Sequence, residues 1–578
     1  MPFIGTAIHI FLKDQPMHTH QVRFIVGLST LALPVLSFAQ STGGNPLNTL
    51  PPIHSPQPAP QPATIAPDTA LQTEKQLNAR QLQLSTLITP QRIDISGVNA
   101  IAFAEVAALF QPLAGKPVSI AHLALAAQAA TQLYQKAGYP LSFVYLPTQT
   151  FENGIVRVIA VEGYVQQVRI EGDPGRSADM LQAMAQPILD DKPLQGEVFT
   201  RQTLLMSRMS HLKVKAQANL PQNTDGATPL VLEVEREPVV FNLSADVDKD
   251  DPKAIANLTL NEPLWTGSQL QFAALLDNPD KERFISAAWN QWLNAKGTTM
   301  RLSFSDFKGS DNSSYFQYAY DDTTYQRKLD LSISHPWQLS AQGSTIIGAN
   351  LYGLNYRKAY YFQAFDEELG YEEKVRALQA HIHWQRSSTY MAHNARLAFT
   401  QGLNALGAGS SETPGLPPST AKFNFSRLNL DYEARWRTQS LWGAGFAISG
   451  QISPDTVPTS ERISFGSWRF GRGYLAGEAA GDQGVGVSLE MNRMFSYPSN
   501  RWIKTLEPYL LFEEARTWFQ ESAYRDQTLR STSLGVRFGD QRYYSLDLSV
   551  SKPQGDRSPQ NPARKLRYGL ALTYQFGK

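Results

Sequence analysis

The chain has 578 residues, and its 52 lysine and arginine residues against 51 aspartate and glutamate residues leave a net charge of +1. This balance excludes the basic excess expected of a nucleic-acid-binding protein, so we predict no nucleic-acid partner. The absence of cysteine excludes disulfide bonds, thiol catalysis and cysteine-ligated metal sites.

The first 39 residues predict a secretory signal peptide whose translation starts at Met17. Arg23 precedes an apolar core at 24–36, and the small residue Ala39 stands at the cleavage position. Elsewhere the sequence has no run of about 20 uninterrupted apolar residues, which is the length that a membrane-spanning helix needs. If the mature protein enters a membrane, it therefore enters as strands.

Residues 40–91 predict a leader with two parts. The first part, 40–67, is rich in proline, serine and glutamine and cannot bury enough apolar surface to fold. The second part, 69–84, consists of good helix formers with mostly polar side chains. Two interpretations remain open for it: a helix that plugs a pore, or a nascent helix without a fixed place, because short isolated helices are marginally stable.

Residues 92–238 predict two small α+β domains, one at 92–164 and one at 165–238. The first has the order strand, helix, helix, strand, strand: a strand at 92–95, helices at 103–110 and 119–138, and strands at 141–146 and 154–161. The second has a strand at 168–172, helices at 177–189 and 201–209, and strands at 213–218 and 230–235. The shared order indicates an internal repeat.

Residues 239–578 predict an all-β domain, because helical periodicity gives way to short runs of alternating apolar and polar residues. Alternation alone fits a soluble sandwich as well as a membrane barrel, which differ in the face that is wet. The signal peptide and the aromatic residues near strand ends favour the membrane barrel. The segment has room for about 16 antiparallel strands of 9–11 residues each with their loops.

The C-terminal segment supports the same conclusion. One face of the last predicted strand is apolar and ends on an aromatic residue almost at the chain terminus. This pattern resembles the terminal strand signal of bacterial outer-membrane barrels. The residues that form it are Tyr568, Gly569, Leu572, Tyr574 and Phe576.

A specific spacing of turn and strand residues ends the first α+β domain. It resembles the POTRA domain of two-partner secretion transporters, the TpsB or ShlB/FhaC-like family, and the resemblance extends from Arg92 to the C-terminus. The residues that carry the POTRA pattern are Gly138, Tyr139, Pro140, Pro147, Gln149, Gly154, Glu162 and Gly163.

A second motif lies in the predicted barrel and resembles the same family's long loop that folds into the lumen. Its residues are Gly471, Arg472, Gly473, Tyr474, Gly481, Asp482 and Gly484. A wide barrel leaks unless something occupies it, and an arginine at a loop tip can pair with a carboxylate on the wall. The family's wall motif matches here at Phe512 and Glu514, which makes Glu514 the expected partner. Glu513 is the alternative and faces the opposite side of a regular strand.

Motifs of nucleotide binding, metalloproteases and serine hydrolases do not occur in the sequence. The ten histidines are scattered along the sequence, and we interpret the clusters of carboxylates as parts of solvent-exposed turns. We therefore predict that the chain is not an enzyme and needs no metal or cofactor.

The resemblance implies an outer-membrane pore, with its POTRA domains in the periplasm, that exports an unfolded partner polypeptide to the cell surface. It further implies contact with outer-membrane lipids and with the barrel-assembly machinery during biogenesis. Two alternatives remain at this point: a barrel-assembly factor of the same superfamily, and a plain diffusion porin. The sequence leaves open whether the exported partner is an adhesin, a haemolysin or a toxin.

Overall fold

The computed structural model describes residues 86–209, 212–247, 252–276, 279–315, 318–364, 366–521, 525–558 and 561–576. The expected signal peptide at 1–39 and the expected plug helix at 69–84 lie outside these residues. None of the helices in these ranges is long and apolar enough to cross a membrane.

The first α+β unit has a three-stranded sheet covered by two helices. Its elements are β1 (Leu87–Ile88), β2 (Arg92–Ser96), α1 (Phe103–Phe110), β3 (Val118–Ser119), α2 (Ile120–Lys136), β4 (Phe143–Tyr145) and β5 (Ile155–Val161). The sheet order is β2-β5-β4, with β2 parallel and β4 antiparallel to β5. Ser119 caps α2, because its side chain accepts a hydrogen bond from the backbone N–H of His122 at 3.3 Å.

The second α+β unit repeats this arrangement. Its elements are β6 (Tyr164–Gly172), α3 (Ala178–Asp190), α4 (Gly196–Ser207), β7 (Leu212–Ala218) and β8 (Ala227–Arg236). The sheet order is β6-β8-β7, so the third strand again lies in the centre, parallel to the first and antiparallel to the second. Leu181, Met184 and Phe199 are buried in its core, and burial of such side chains contributes about 1.5–3 kcal/mol each. The predicted order of elements is confirmed.

Sixteen antiparallel strands close a barrel after these two units. In chain order they are β9 (Val239–Asp246), β10 (Lys253–Asn261), β11 (Ser268–Leu275), β12 (Glu282–Trp292), β13 (Thr299–Tyr315), β14 (Tyr318–Ser340), β15 (Gly343–Phe362), β16 (Glu367–Ser387), β17 (Met391–Gly402), β19 (Ser426–Arg437), β20 (Trp442–Ile452), β23 (Gln483–Arg493), β25 (Thr505–Trp518), β26 (Gln527–Gly539), β27 (Tyr544–Pro553) and β28 (Arg567–Phe576). Two short segments, β18 (Gly409–Glu412) and β24 (Phe495–Ser496), extend the pairing of β16 and β25. The expected strand number is confirmed.

The last strand closes the barrel by pairing with the first. Phe576 on β28 lies opposite Phe241 on β9, and the centroids of their rings are 5.1 Å apart. Tyr574 packs on Phe576 with a centroid distance of 4.5 Å. The apolar C-terminal segment thus forms the closing strand of the barrel.

The two faces of the barrel wall differ in the way that membrane barrels require. Large apolar side chains point outward, as on β25, where Leu510 and Phe512 are exposed. Polar side chains of the same strand, such as Glu513 and Thr517, point inward and are buried. An apolar outer face and a polar inner face are the reverse of a soluble sandwich.

The second α+β unit contacts the hairpin turns at one end of the barrel. The carboxylate of Glu262, in the β10–β11 turn, accepts hydrogen bonds from the backbone N–H of Arg176 at 3.2 Å and from the hydroxyl of Ser177. Leu205 of α4 packs against Gly297 in the β12–β13 turn, and Arg201 donates to the carbonyl of Pro336, near the end of β14, at 3.3 Å. These contacts define a near end of the barrel, beside the α+β units, and a far end.

Candidate functional site

The segment of residues 453–482 joins β20 to β23 at the far end of the barrel and folds back into its interior. We call it the lumen loop. It contains a small hairpin of β21 (Ile463–Phe465) and β22 (Ala479–Gly481). Phe465 and Tyr474 of the loop are buried against inward-facing Ala515 and Leu529 of the wall. The predicted inward-folded loop is therefore present at the predicted place.

The base of the lumen loop is held by polar contacts with one side of the wall. The carboxylate of Glu461 accepts a hydrogen bond from the hydroxyl of Tyr352 on β15 at 2.9 Å. It also forms an ion pair of 2.6 Å with Arg427 on β19, and both groups are largely buried. The backbone N–H of Thr459 donates to Glu373 on β16 at 2.8 Å.

The tip of the lumen loop is held by the other side of the wall. A guanidinium N–H of Arg472 donates to the hydroxyl of Tyr509 on β25 at 2.5 Å, and the same nitrogen lies 3.4 Å from the carboxylate of Asp547 on β27. The backbone N–H of Arg472 donates to Glu513 at 2.8 Å. The guanidinium also lies 4.3 Å from the ring centroid of Trp468, at cation–π distance. The loop therefore spans the lumen from β15 and β19 to β25 and β27.

Glycine at position 473 permits this close approach. A Cβ atom at Gly473 would lie 2.8 Å from the backbone nitrogen of Pro553, at the end of β27. A larger residue at position 473 would push the tip away from the wall and lengthen the contacts of Arg472. In the Gly-Arg-Gly-Tyr sequence, glycine at position 473 is therefore needed for steric reasons and Arg472 for its electrostatic contacts.

The expectation that Glu514 is the partner of Arg472 is wrong. The side chain of Glu514 is exposed on the outside of the barrel, where it accepts two hydrogen bonds from Arg530 at 2.9 and 3.0 Å. Phe512 lies on the same outer face, since residues two apart on a strand share a face. Glu513 faces the loop, but it binds the backbone of Arg472, and the acid that approaches the guanidinium is Asp547.

The ion pairs continue from the loop tip along the wall. Asp547 also lies 3.2 Å from Arg537, which contacts Glu490 at 2.5 Å and Glu507 at 3.1 Å. In the sequence, Asp547 and Arg537 are recognisable only as polar residues of strands in which apolar and polar residues alternate. Their one distinguishing signal was charge, because the other inward-facing residues of β26 and β27 are uncharged.

A further contact attaches the lumen loop to the first barrel strand. The indole N–H of Trp468 donates to the carboxylate of Asp246, the last residue of β9, at 2.6 Å. Asp246 lies opposite Ala571 of β28 in the closing strand pair. The tip thus contacts both the first strand and the strands that precede the closure. No pattern in the sequence indicates this contact.

The second half of the loop motif has a structural role at the base. The buried carboxylate of Asp482 accepts hydrogen bonds from the backbone N–H groups of Val457 at 3.1 Å and Gln520 at 2.9 Å. A Cβ atom at Gly481 would lie 2.6 Å from the carbonyl oxygen of Trp518, and one at Gly484 would lie 2.9 Å from Ile463. These residues therefore position the loop where it leaves and re-enters the wall.

Most of the predicted POTRA residues stabilise the first α+β unit. Glu162 accepts hydrogen bonds of 2.6 Å from the backbone N–H groups of Asn99 and Ala100, and one of 2.9 Å from the hydroxyl of Tyr134. Burial raises the pKa of Tyr134, and its hydrogen bond to the Glu162 carboxylate raises this pKa further. Tyr134 therefore remains a neutral donor at physiological pH.

The other POTRA residues form turns and the junction with the second unit. Gln149, two residues after Pro147, exchanges hydrogen bonds with the backbone of Arg157 at 2.7 and 2.9 Å and so closes the turn that contains Gly154. The carbonyls of Gly138 and Gly163 accept from the backbone N–H groups of Gly196 at 2.8 Å and Leu194 at 2.9 Å. The side chain of Pro140, which follows Tyr139, also lies beside Gly196.

In the part of the chain that the structure describes, no group of three or more histidine, aspartate or glutamate side chains is arranged to hold a metal ion. The site is instead a network of ion pairs and aromatic contacts across a polar lumen. Such a network can hold a loop in one position and release it when competing polar groups or water enter.

Two family models match the chain. Residues 88–163 match the model described as "POTRA domain, ShlB-type". Residues 250–538 match the model described as "Haemolysin secretion/activation protein ShlB/FhaC/HecB".

Individual proteins are similar over most of the chain. The outer membrane transporter CdiB of Escherichia coli O6:K15:H31 is 23% identical over 460 residues, which cover 76% of this chain and 73% of CdiB. The heme/hemopexin transporter protein HuxB of Haemophilus influenzae is 19% identical over 496 residues, covering 82% of this chain and 84% of HuxB. The solved structure of CdiB from Escherichia coli superposes with a TM-score of 0.62 at 17% identity and covers 95% of this chain and 98% of that one.

Proposed function

The chain belongs to the ShlB/FhaC/HecB family of haemolysin secretion/activation proteins, and on this premise we propose that its lumen loop closes the resting pore and moves aside for cargo. As a member of this family, the protein is an outer-membrane transporter that exports a partner polypeptide, and it is not an enzyme. Its POTRA domains lie on the periplasmic side, so the near end of the barrel faces the periplasm. The match to a secretion family favours export over barrel assembly or simple diffusion.

The observation that carries the proposal is the attachment of the lumen loop to opposite sides of the wall. Glu461 of the loop contacts Tyr352 on β15 and Arg427 on β19. Arg472 of the loop contacts Tyr509 on β25 and Asp547 on β27. A segment fixed at both sides obstructs the lumen between them. Because the contacts of Glu461 and Arg472 are polar and ionic, the lumen can solvate these groups after the loop leaves.

We place cargo recognition on the two α+β units, with domain boundaries at 92–164 and 165–238. In each sheet the third strand lies in the centre, so β2 and β4, and likewise β6 and β7, form the outer edges. An extended polypeptide can add to a sheet edge through its backbone hydrogen bonds, which suits an unfolded cargo. The family implies a secreted partner protein.

Replacement of Arg472 tests the closure proposal. Arg472 and Asp547 have side-chain exposures of 13% and 16%, and loss of one partner from such a pair costs about 3 kcal/mol, or roughly a hundredfold shift towards the undocked loop. We expect Arg472→Ala to raise the single-channel conductance of the purified protein in planar bilayers. Arg530→Ala, which removes an arginine on the outer face, is the matched control and should leave conductance unchanged. Wild-type conductance from correctly folded Arg472→Ala protein would contradict closure by this loop.

A further inference from the structure

A group of basic side chains lies on the outer face of β12–β16, between the apolar outer band and the far end of the barrel. We call it the basic belt. Its members are Arg283, Lys308, Arg327, Arg357, Lys374 and Arg376. Acidic side chains on the same face are fewer, and they are Asp306, Asp321, Glu368 and Glu372.

Strand register places the belt on the membrane-facing side. Asp306 lies opposite Ile285 on β12 and Arg327 on β14. Two residues closer to the near end, Phe304 lies opposite Leu329, and both of these apolar side chains are exposed on the outer face. Because residues two apart share a face of the sheet, Asp306 and Arg327 also point outward. The belt therefore begins where the apolar surface ends.

One carboxylate is shared by two arginines at the centre of the belt. Asp306 forms ion pairs of 2.7 Å with Arg283 and 2.6 Å with Arg327. The side chains of these arginines are 47% and 68% exposed, and each guanidinium carries five N–H donors. Asp306 thus orients both guanidinium groups and leaves this part of the belt with a net positive charge.

Arg376 extends the belt across β15 and lies flat on the wall. Its side chain passes over Gly353, where a Cβ atom would be 3.4 Å from the Cδ atom of Arg376. Its guanidinium donates to the side-chain oxygen of Asn355 at 3.0 Å. The next outward residue towards the near end is the exposed Leu378. A charge held this close to the apolar band is costly unless an anion accompanies it.

The outer face on the other side of the barrel has a different charge pattern. There Arg530 pairs with Glu514 at 2.9 Å, and Arg516 pairs with Asp526 at 2.9 Å. Each arginine has its own carboxylate, so these pairs are neutral. On the β12–β16 wall, Arg357 and Lys374 are likewise paired, with Glu368 and Glu372. The excess positive charge of this wall therefore comes from the two arginines that share Asp306, from Lys308 and from Arg376.

We propose that the basic belt binds the phosphate groups of lipid headgroups in the outer leaflet of the membrane. Arginine suits this role because its planar guanidinium can bind phosphate oxygens in a bidentate manner. The belt lies at the far end, which is the outer side, at the depth where headgroups meet acyl chains. Binding there orients β12–β16 in the membrane while the opposite wall holds the tip of the lumen loop. This proposal depends on the outer-membrane location and not on the identity of the cargo.

The test measures lipid binding to the purified full-length protein by native mass spectrometry. Bis-phosphorylated lipid A is the probe, and dephosphorylated lipid A and inorganic phosphate are the comparison ligands. The variant is Arg283→Gln/Arg327→Gln/Arg376→Gln, and the matched control is Arg516→Gln/Arg530→Gln on the other wall. Heat modifiability on gels reports whether each barrel is folded.

We expect the triple variant to bind phosphorylated lipid A about 100-fold more weakly, since each basic residue near a membrane surface contributes roughly fivefold. The control should bind like the wild type, and the wild type should prefer phosphorylated over dephosphorylated lipid A. Equal binding by the wild type and the folded triple variant overturns the proposal. Displacement of the lipid by millimolar inorganic phosphate would identify free phosphate as the ligand and overturn the lipid assignment. If the triple variant does not fold, the comparison of ligands on the wild type decides. Equal binding of phosphorylated and dephosphorylated lipid A by the wild type then overturns the proposal.

Discussion

Glu513 and Glu514 are neighbours in sequence and lie on opposite sides of the barrel wall. Glu513 is buried in the lumen and accepts hydrogen bonds from the backbone of Arg472 at 2.8 Å and from the hydroxyl of Ser531 at 2.9 Å. Glu514 is exposed on the outer face beside Arg530. Two chemically identical side chains therefore have different roles because a strand alternates its faces.

Neutralising each glutamate in turn separates these roles. Glu513→Gln replaces the charged acceptor of the Arg472 N–H with a neutral one, and hydrogen bonds to charged groups contribute about 1.5–3 kcal/mol. We expect trypsin added to the folded protein to cleave the lumen loop of this variant several-fold faster than that of the wild type. Glu514→Gln is the matched control and should be cleaved at the wild-type rate. The opposite order of cleavage rates would contradict the strand register described above.

The sequence could not settle which glutamate faces the loop. Both faces of this part of β25 carry large apolar residues, Leu510 and Phe512 on one and Tyr509 and Leu511 on the other. Alternation therefore gave no preference, and the resemblance selected the outward residue. The pairing of Arg472 with Asp547 joins residues 75 positions apart. Such a contact depends on how far the loop reaches into the barrel, which no local pattern encodes.

The elements themselves were more predictable than these contacts. The helices of both α+β units carry buried apolar stripes, as on α2, where Leu123, Ala127 and Tyr134 share a face. Alternation and the aromatic C-terminus identified the barrel and its closing strand. By contrast, β13–β16 have 17–23 residues each, which is more than the 9–11 or so that a membrane requires. The excess length extends beyond the apolar band, where the sequence has no simple period.

One attachment of the second α+β unit to the barrel is made at the β10–β11 turn. The carboxylate of Glu262 accepts from Arg176, Ser177 and the backbone N–H of Gly267, the last at 3.1 Å. We expect Glu262→Ala to loosen this junction, because three donors lose a charged acceptor together.

Spin labels provide the measurement for this junction, and the cysteine-free chain allows clean labelling. With labels at the exposed positions Lys215 of β7 and Lys296 of the β12–β13 turn, Glu262→Ala should broaden the distance distribution. Asp173→Ala removes an acid that pairs with Arg236 inside the second unit and serves as the control. A distribution as narrow as that of the wild type would show that the contacts of α4 suffice.

We propose that the whole transporter combines a periplasmic part that binds cargo, a barrel, and a lumen closed by the lumen loop. Residues 40–84, which lie outside the described part of the chain, include the helix that we propose as a second plug. Removal of 40–84 should raise the single-channel conductance and leave secretion largely intact, because a plug must leave before cargo can pass. Unchanged conductance would indicate that the lumen loop closes the pore alone.

Movement of the lumen loop during export is the central claim. Trp468 of the loop and Asp246 of β9 are in contact, with 2.6 Å between the indole nitrogen and the carboxylate. In a Trp468→Cys/Asp246→Cys variant, a short cleavable thiol cross-linker would fix the loop to the wall. The matched control is Glu514→Cys/Arg530→Cys, which places the same chemistry on two wall strands, because these residues lie opposite each other on β25 and β26.

The decisive measurement is secretion of the partner polypeptide by cells that carry each variant, before and after cross-linking and after reduction. We predict that cross-linking the loop lowers secretion to background, that reduction restores it, and that the cross-linked control secretes normally. Wild-type secretion by a protein whose loop is demonstrably cross-linked to β9 would contradict the account.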